Sequence, residues 1–210
     1  MNEQREELPN EILIFIVDES YGRGSEFVES SQFADEIAIT FAASRKYREE
    51  LEEEFGEKFE EYVNVGPGAD LPAFVTAISE NMVPLLPWLM AVFFTGKPIV
   101  DNIEAWRKIF VYIRRYFSRP LLFNRQGAAV IAVESVLEEM NGIPKSIKLI
   151  NYRGEYRYDE QEPTALSNTV ISDAPPTLNL SMLRHVFEIE ADGVHFIVTV
   201  DGKNARARKT

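Results

Sequence analysis

Two histidines and a few carboxylates are the residues of this chain best equipped for chemistry. His195 follows Glu188 and Glu190 across the dipeptide Asp192-Gly193. Asp-Gly favours a two-residue type I′ turn, because both turn positions need positive φ. With Asp192 and Gly193 in the turn, Ala191 pairs with Val194, Glu190 with His195 and Phe187 with Val198. His195 then faces Glu190 directly and Glu188 diagonally. An imidazole beside two carboxylates can ligate a divalent ion. The same set is also an ordinary cross-strand pair on a wet sheet face. That plainer reading is the expectation, with no metal and no cofactor. His185 falls at the strand end opposite Val200, a boundary residue rather than a base.

Asp18 and Glu19 end a strand-like run, where α/β enzymes place ligands. With Arg23 they form the one candidate polar site for an enzyme. No Gly-x-Ser-x-Gly elbow, no His-Glu-x-x-His and no Walker sequence is present. The turn Asn64–Ala69 could offer backbone N–H groups to a phosphate, but Asp70 at the following cap position would repel it. Catalytic residues are therefore unassigned, and the balance leans away from an enzyme.

The 210 residues include 34 acidic and 22 basic ones, for a net charge of −12. This argues against nucleic-acid binding, which relies on a basic face. It suits a basic protein partner. Glu49, Glu53, Glu57 and Glu60 are the candidate partner-binding residues. They lie between the positions of an aromatic stripe, Tyr47, Leu51, Phe55, Phe59 and Tyr62, and a solvated outer face would look the same. From Asn102 to Gln126 the sign reverses: six basic residues stand against Glu104 alone. Arg107, Lys108, Arg114, Arg115 and Arg119 are the candidate anion- or lipid-binding set. The internal alternative is that the glutamate-rich helix lies against them. The face bearing Glu49, Glu53 and Glu60 is expected to be exposed and not docked on Arg107, Lys108 or Arg115. With no cysteine there are no disulfides, and a cytoplasmic setting is the simplest expectation. The acidic N-terminal stretch lacks the basic start of a signal peptide.

These residues need elements to position them. Glu11–Asp18 reads as a buried strand. Glu36–Phe41 reads as a second strand, with a helix over Phe33–Ala43 as the alternative. Ser44 is expected to cap a helix that bends or stops at Gly56. Pro72–Gly96 carries a single charge, Glu80. It is interrupted by Pro84 and Pro87, which break a helix. Two short helices are expected, at Leu71–Asn81 and Pro84–Phe94, forming a buried hairpin that stops at Gly96 and hides Trp88, Leu89 and Phe93. The rivals for this segment are insertion into a membrane and an apolar face for a partner. Asp101–Phe117 predicts a helix capped by Asp101. Pro120–Phe123 predicts a short strand. Asn124 caps a helix over Gln126–Met140 that Asn141-Gly142 ends. Ser146–Arg153 and Glu155–Tyr158 suggest a hairpin around Gly154, and Lys203–Thr210 a frayed basic tail.

The expected fold is α+β: a small, mostly antiparallel sheet from N- and C-terminal strands, with a helical block at 44–140 packed on it. The main domain is 1–159, followed by a loop or linker at 160–178, a hairpin at 179–202 that completes the sheet or forms a small appendage, and the tail at 203–210. The expected function is a non-catalytic protein-interaction or regulatory protein, with inhibition of a basic partner as one version. The alternatives are a membrane-active effector using 72–96 and an enzyme around Asp18, Glu19 and Arg23. Homo-oligomerisation is left open.

Overall fold

The computed structural model describes residues 11–17, 33–62, 73–79, 81–156 and 183–210. Asp18, Glu19, Arg23, the turn at Asn64–Ala69 and the linker at 160–178 lie outside the described residues. The fold is α+β, and its strands pair antiparallel. They fall into two four-stranded sheets. The first holds β1 (Ile12–Val17), β2 (Glu60–Tyr62), β3 (Ala73–Ile78) and β4 (Leu121–Phe123) in the order β2-β3-β1-β4. The second is a meander of β5 (Ile147–Tyr156), β6 (Leu183–Ala191), β7 (Val194–Asp201) and β8 (Asn204–Lys209). The helices are α1 (Phe33–Phe55), α2 (Leu86–Phe94), α3 (Ile103–Arg114) and α4 (Arg125–Glu139). A 3₁₀ turn over Arg115–Ser118 extends α3.

The centre of the molecule is α4, which packs on α3 and on strands of both sheets. Its residues from Gln126 to Glu134 are all buried, as are Val136 and Leu137. Its stretch 127–133 is apolar all round, which suits the inside of a protein. Small residues allow the close approach: a Cβ on Gly127 would lie 2.7 Å from Phe123 Cδ1 and 3.0 Å from Ile12 Cγ2. Both ends of α4 match their sequence signals. Asn124 Oδ1 accepts from the Gly127 N–H at 3.1 Å. At the other end Asn141 takes φ 53°. The Asn141 and Gly142 amides return to the Glu138 and Leu137 carbonyls at 3.0 and 3.2 Å, closing a Schellman motif. Gly96 ends α2 in the same way at φ 69°, and Gly56, also at φ 69°, follows the last residue of α1.

Several expectations need correction. Residues 73–78 form a strand, not the helix expected over Leu71–Asn81. Phe74, Thr76 and Ile78 are buried in strict alternation, and β3 pairs on one side with β1 and on the other with β2. Backbone pairing on both sides outweighs local helix preference. Glu36–Phe41 is helical and belongs to α1. Ser44 therefore sits inside that helix, where its buried hydroxyl donates to Glu61 Oε1 at 2.7 Å. Asn102, at φ 65°, and not Asp101, is the N-cap of α3. β5 runs straight through Gly154, which pairs with His185. The stretch expected to fray is β8: Gly202 (φ 56°) turns the chain, and β8 pairs with β7 along its length. Ala205 and Ala207 on its inner face pack against the core.

Candidate docking cleft

The uncharged segment that follows β3 folds back as turns before it enters α2. The Met82 and Val83 amides both bond the Ser79 carbonyl at 3.1 Å, and Pro87 pre-sets the first turn of the helix. Only one face of this nine-residue helix is inside: Leu86, Leu89, Met90 and Phe93. Leu89 and Phe93 are buried as expected. Trp88 is not; it is 45% exposed. One residue before Leu89, it points ~100° away around the helix. The core place beside Phe93 belongs to Trp106 of α3, 5.2 Å from it between ring centroids.

The outer side of this segment forms one wall of an open cleft of about 690 Å³. Met82 and Leu85 line that wall. Val100 and Ile143 also line the cleft, from the segments that precede α3 and follow α4. Asp101, Glu104 and Lys108 supply charge, and Tyr112 is also part of the lining. The Tyr112 hydroxyl lies 3.7 Å from Met82 Sδ.

Tyr112 also reaches the acidic segment that follows α1. Gly56 turns the chain so that Glu57 points inward. Tyr112, Tyr116 and Arg115 all donate to the Glu57 carboxylate. Burial raises both phenols above their ordinary value, so each keeps its proton to donate. Arg119 pairs with Glu54 at 2.5 Å. The internal alternative for opposed charges is thus realised at Glu54 and Glu57. Glu49, Glu53 and Glu60 remain exposed, the last on β2 rather than on the helix; Glu49 pairs with Arg45 at 3.1 Å. The basic set does not converge on one surface. Arg119 is held by Glu54 of α1 and Arg115 by Glu57 just after that helix, and Arg107 lies 3.4 Å from buried Glu134. Lys108 stands at the cleft and Arg114 is exposed.

The histidine hairpin has the expected register: Ala191 opposite Val194, Glu190 opposite His195, Phe187 opposite Val198. His195 Nε2 is 3.2 Å from Glu190 Oε2. Lys148 holds the same glutamate at 3.0 Å, and Arg153 holds Glu188 at 2.9 Å. Each carboxylate thus has a basic partner of its own on β5, Lys148 for Glu190 and Arg153 for Glu188. Among the described residues no three histidines or carboxylates converge as metal ligands would.

One polar cluster has no signal in the sequence. His185 is buried opposite Val200. Its Nδ1 lies 2.9 Å from the Tyr152 hydroxyl, and its ring also bonds the backbone of Phe123. The Arg125 guanidinium lies 5.5 Å from the Tyr152 ring and 4.4 Å from that of Phe94. Burial lowers the imidazole to about 4, with Arg125 adding to the effect. Burial raises Tyr152 to about 12. The imidazole links the two sheets in its neutral form. Its members come from β4, α4, β5 and β6, which only the fold brings together.

Comparison with protein-family models, with curated proteins and with solved structures found no match. Among the described residues no helix is long and apolar enough to cross a membrane.

Proposed function

We propose that the protein is a non-catalytic interaction protein whose cleft takes up an apolar segment of a protein partner. One observation carries the reading. Seven large hydrophobic side chains are exposed among the described residues, and four of them, Met82, Leu85, Val100 and Ile143, line this one cleft. A fifth, Trp88, lies one helical turn from Leu85. Apolar side chains gathered in this way are a feature of interaction surfaces, and tryptophan is enriched where binding energy concentrates.

The partner's flanks are basic in this reading. Asp101 and Glu104 outnumber Lys108 at the cleft, Glu49, Glu53 and Glu60 are exposed, and the chain as a whole is acidic. Such a charge pattern accelerates encounter and weakens with salt. A cytoplasmic setting is part of the proposal, since the chain has no cysteine to cross-link.

The test places a photo-crosslinking amino acid at Leu85, or at Arg208 on the far sheet as control, in extract of the native host. A discrete adduct specific to the Leu85 position, lost in Trp88→Asp and reduced by added salt, is the expected result. The same adducts from both positions, or an adduct indifferent to Trp88→Asp, would refute the cleft as the binding surface.

A further inference from the structure

The second sheet ends on β8, and no described strand pairs with its outer side. An edge strand keeps a row of backbone donors and acceptors free for another chain. The other edges are shorter or interrupted. β2 and β4 are three residues each. β5 is irregular between Leu149 and Asn151, and Ile99 bonds it at Ile147. β8 is six residues long and holds an unbroken register against β7.

The charge on this edge is as distinctive as its regularity. Lys203, Arg206, Arg208 and Lys209 follow one another with no acidic residue between them, in a chain of net charge −12. Lys203 donates to the Phe117 carbonyl at 2.6 Å, and Lys209 lies 6.0 Å from the Phe196 ring centroid. Arg206 and Arg208 are exposed and form no ion pair with a described residue. They stand opposite Thr199 and Ile197, on the solvent face of the sheet. Their spacing along the strand is ~6.8 Å, the repeat of every second side chain in a strand. Ala205 and Ala207 alternate with them and face the core.

We propose that β8 is a docking edge for an extended acidic segment of a partner protein. The segment adds as a fifth strand, and alternate carboxylates pair with Arg206 and Arg208. Backbone hydrogen bonds supply affinity and the two guanidinium groups supply selectivity, the usual division in strand addition. Cations on an edge repel basic strands and admit acidic ones. The residues between the carboxylates lie beside Ala205 and Ala207, so they should be apolar.

The probe is a fluorescein-labelled peptide alternating glutamate and valine, compared with its lysine–valine counterpart by anisotropy. Amide hydrogen exchange over 204–209 reports strand addition. The glutamate peptide should bind about tenfold or more tightly than the lysine peptide and slow exchange along β8. Arg206→Glu with Arg208→Glu should reverse the order of preference. Thermal melting confirms that this variant folds, and Arg206→Ala with Arg208→Ala serves in its place if it does not. Equal binding of both peptides, binding unchanged in the variants, or no binding would overturn the proposal. So would displacement of the peptide by inorganic polyphosphate without any protection of β8, which would make the edge a simple anion patch.

Discussion

Acidification should weaken this protein through His185, and the effect can be worked from its surroundings. The imidazole is 4% exposed, bonded to Tyr152 and the Phe123 backbone, and stacked against Phe187 with ring centroids 6.3 Å apart. Burial lowers it to about 4 from an ordinary 6.5, with Arg125 adding to the fall and the Phe123 backbone bond opposing it. The folded state therefore resists a proton that the unfolded chain accepts. Its contribution to stability is complete above pH ~6.5 and falls as pH drops toward ~4, because the unfolded state binds more protons throughout that window. At ~1.4 kcal/mol per unit, the loss is about 2 kcal/mol by pH 5 and about 3 kcal/mol by pH 4. That is a large part of the ~5–15 kcal/mol that holds a typical domain folded. Surface carboxylates titrate in the same range, so the assay needs a reference. His185→Gln keeps one donor and one acceptor without the ionisation. Urea unfolding midpoints for both proteins at pH 7, 6, 5 and 4 give the difference in stability between them. That difference should shift against the wild type by about 3 kcal/mol between pH 7 and 4. Parallel pH curves for the two proteins would refute the argument. So would an imidazole that titrates near 6.5 in the folded protein by NMR.

Two further outcomes follow from the packing. Trp106→Ala should cost about 3–5 kcal/mol, as for any large buried aromatic, whereas Trp88→Ala should change the unfolding midpoint by less than about 1 kcal/mol, as surface positions do; denaturant titration of both variants checks the contrast. Gly193 and Gly202 both take positive φ, at 79° and 56°. A Cβ on Gly193 meets nothing within 4 Å, and one on Gly202 lies 2.8 Å from the Leu121 carbonyl oxygen. Gly193→Ala should therefore cost only the backbone strain of ~1–2 kcal/mol. Gly202→Ala should cost ~2–4 kcal/mol, since the overlap with β4 adds to that strain; equal thermal shifts for the two variants would contradict this.

The elements legible in the sequence are those whose cause lies within a few residues. Asp192-Gly193 specifies its turn because the two positions must both take positive φ, and the register of seven pairs follows from that alone. α4 is bounded by Asn124 and by Asn141-Gly142, each acting on amides or carbonyls three to five residues away. The helix stops at Gly56 and Gly96 are of the same kind. β3 was not legible. A short apolar run such as Ala73–Ile78 fits a helix and a strand equally, and its two flanking strands decide between them. β8 is not legible either, because its residues are basic and small. Pairing with β7 and the packing of Ala205 and Ala207 hold it, not its own preference.

The candidate sites divide in the same way. Composition alone determines that the chain is acidic and without cysteine. Periodicity determines that Glu49 and Glu53 lie on the solvent side of α1. Only the tertiary structure decides that Glu57 turns inward onto Tyr112, Arg115 and Tyr116, more than fifty residues away in the chain. It alone decides that Trp106 rather than Trp88 fills the core beside Phe93, because a short helix has one buried face and the core has room for one indole there. The cleft is likewise a property of the fold. Met82, Leu85, Val100 and Ile143 come from three separate segments, and no local rule relates their positions. Sequence records what each residue prefers within a turn or two of itself. Which preferences are honoured is decided by the partners that long-range packing supplies.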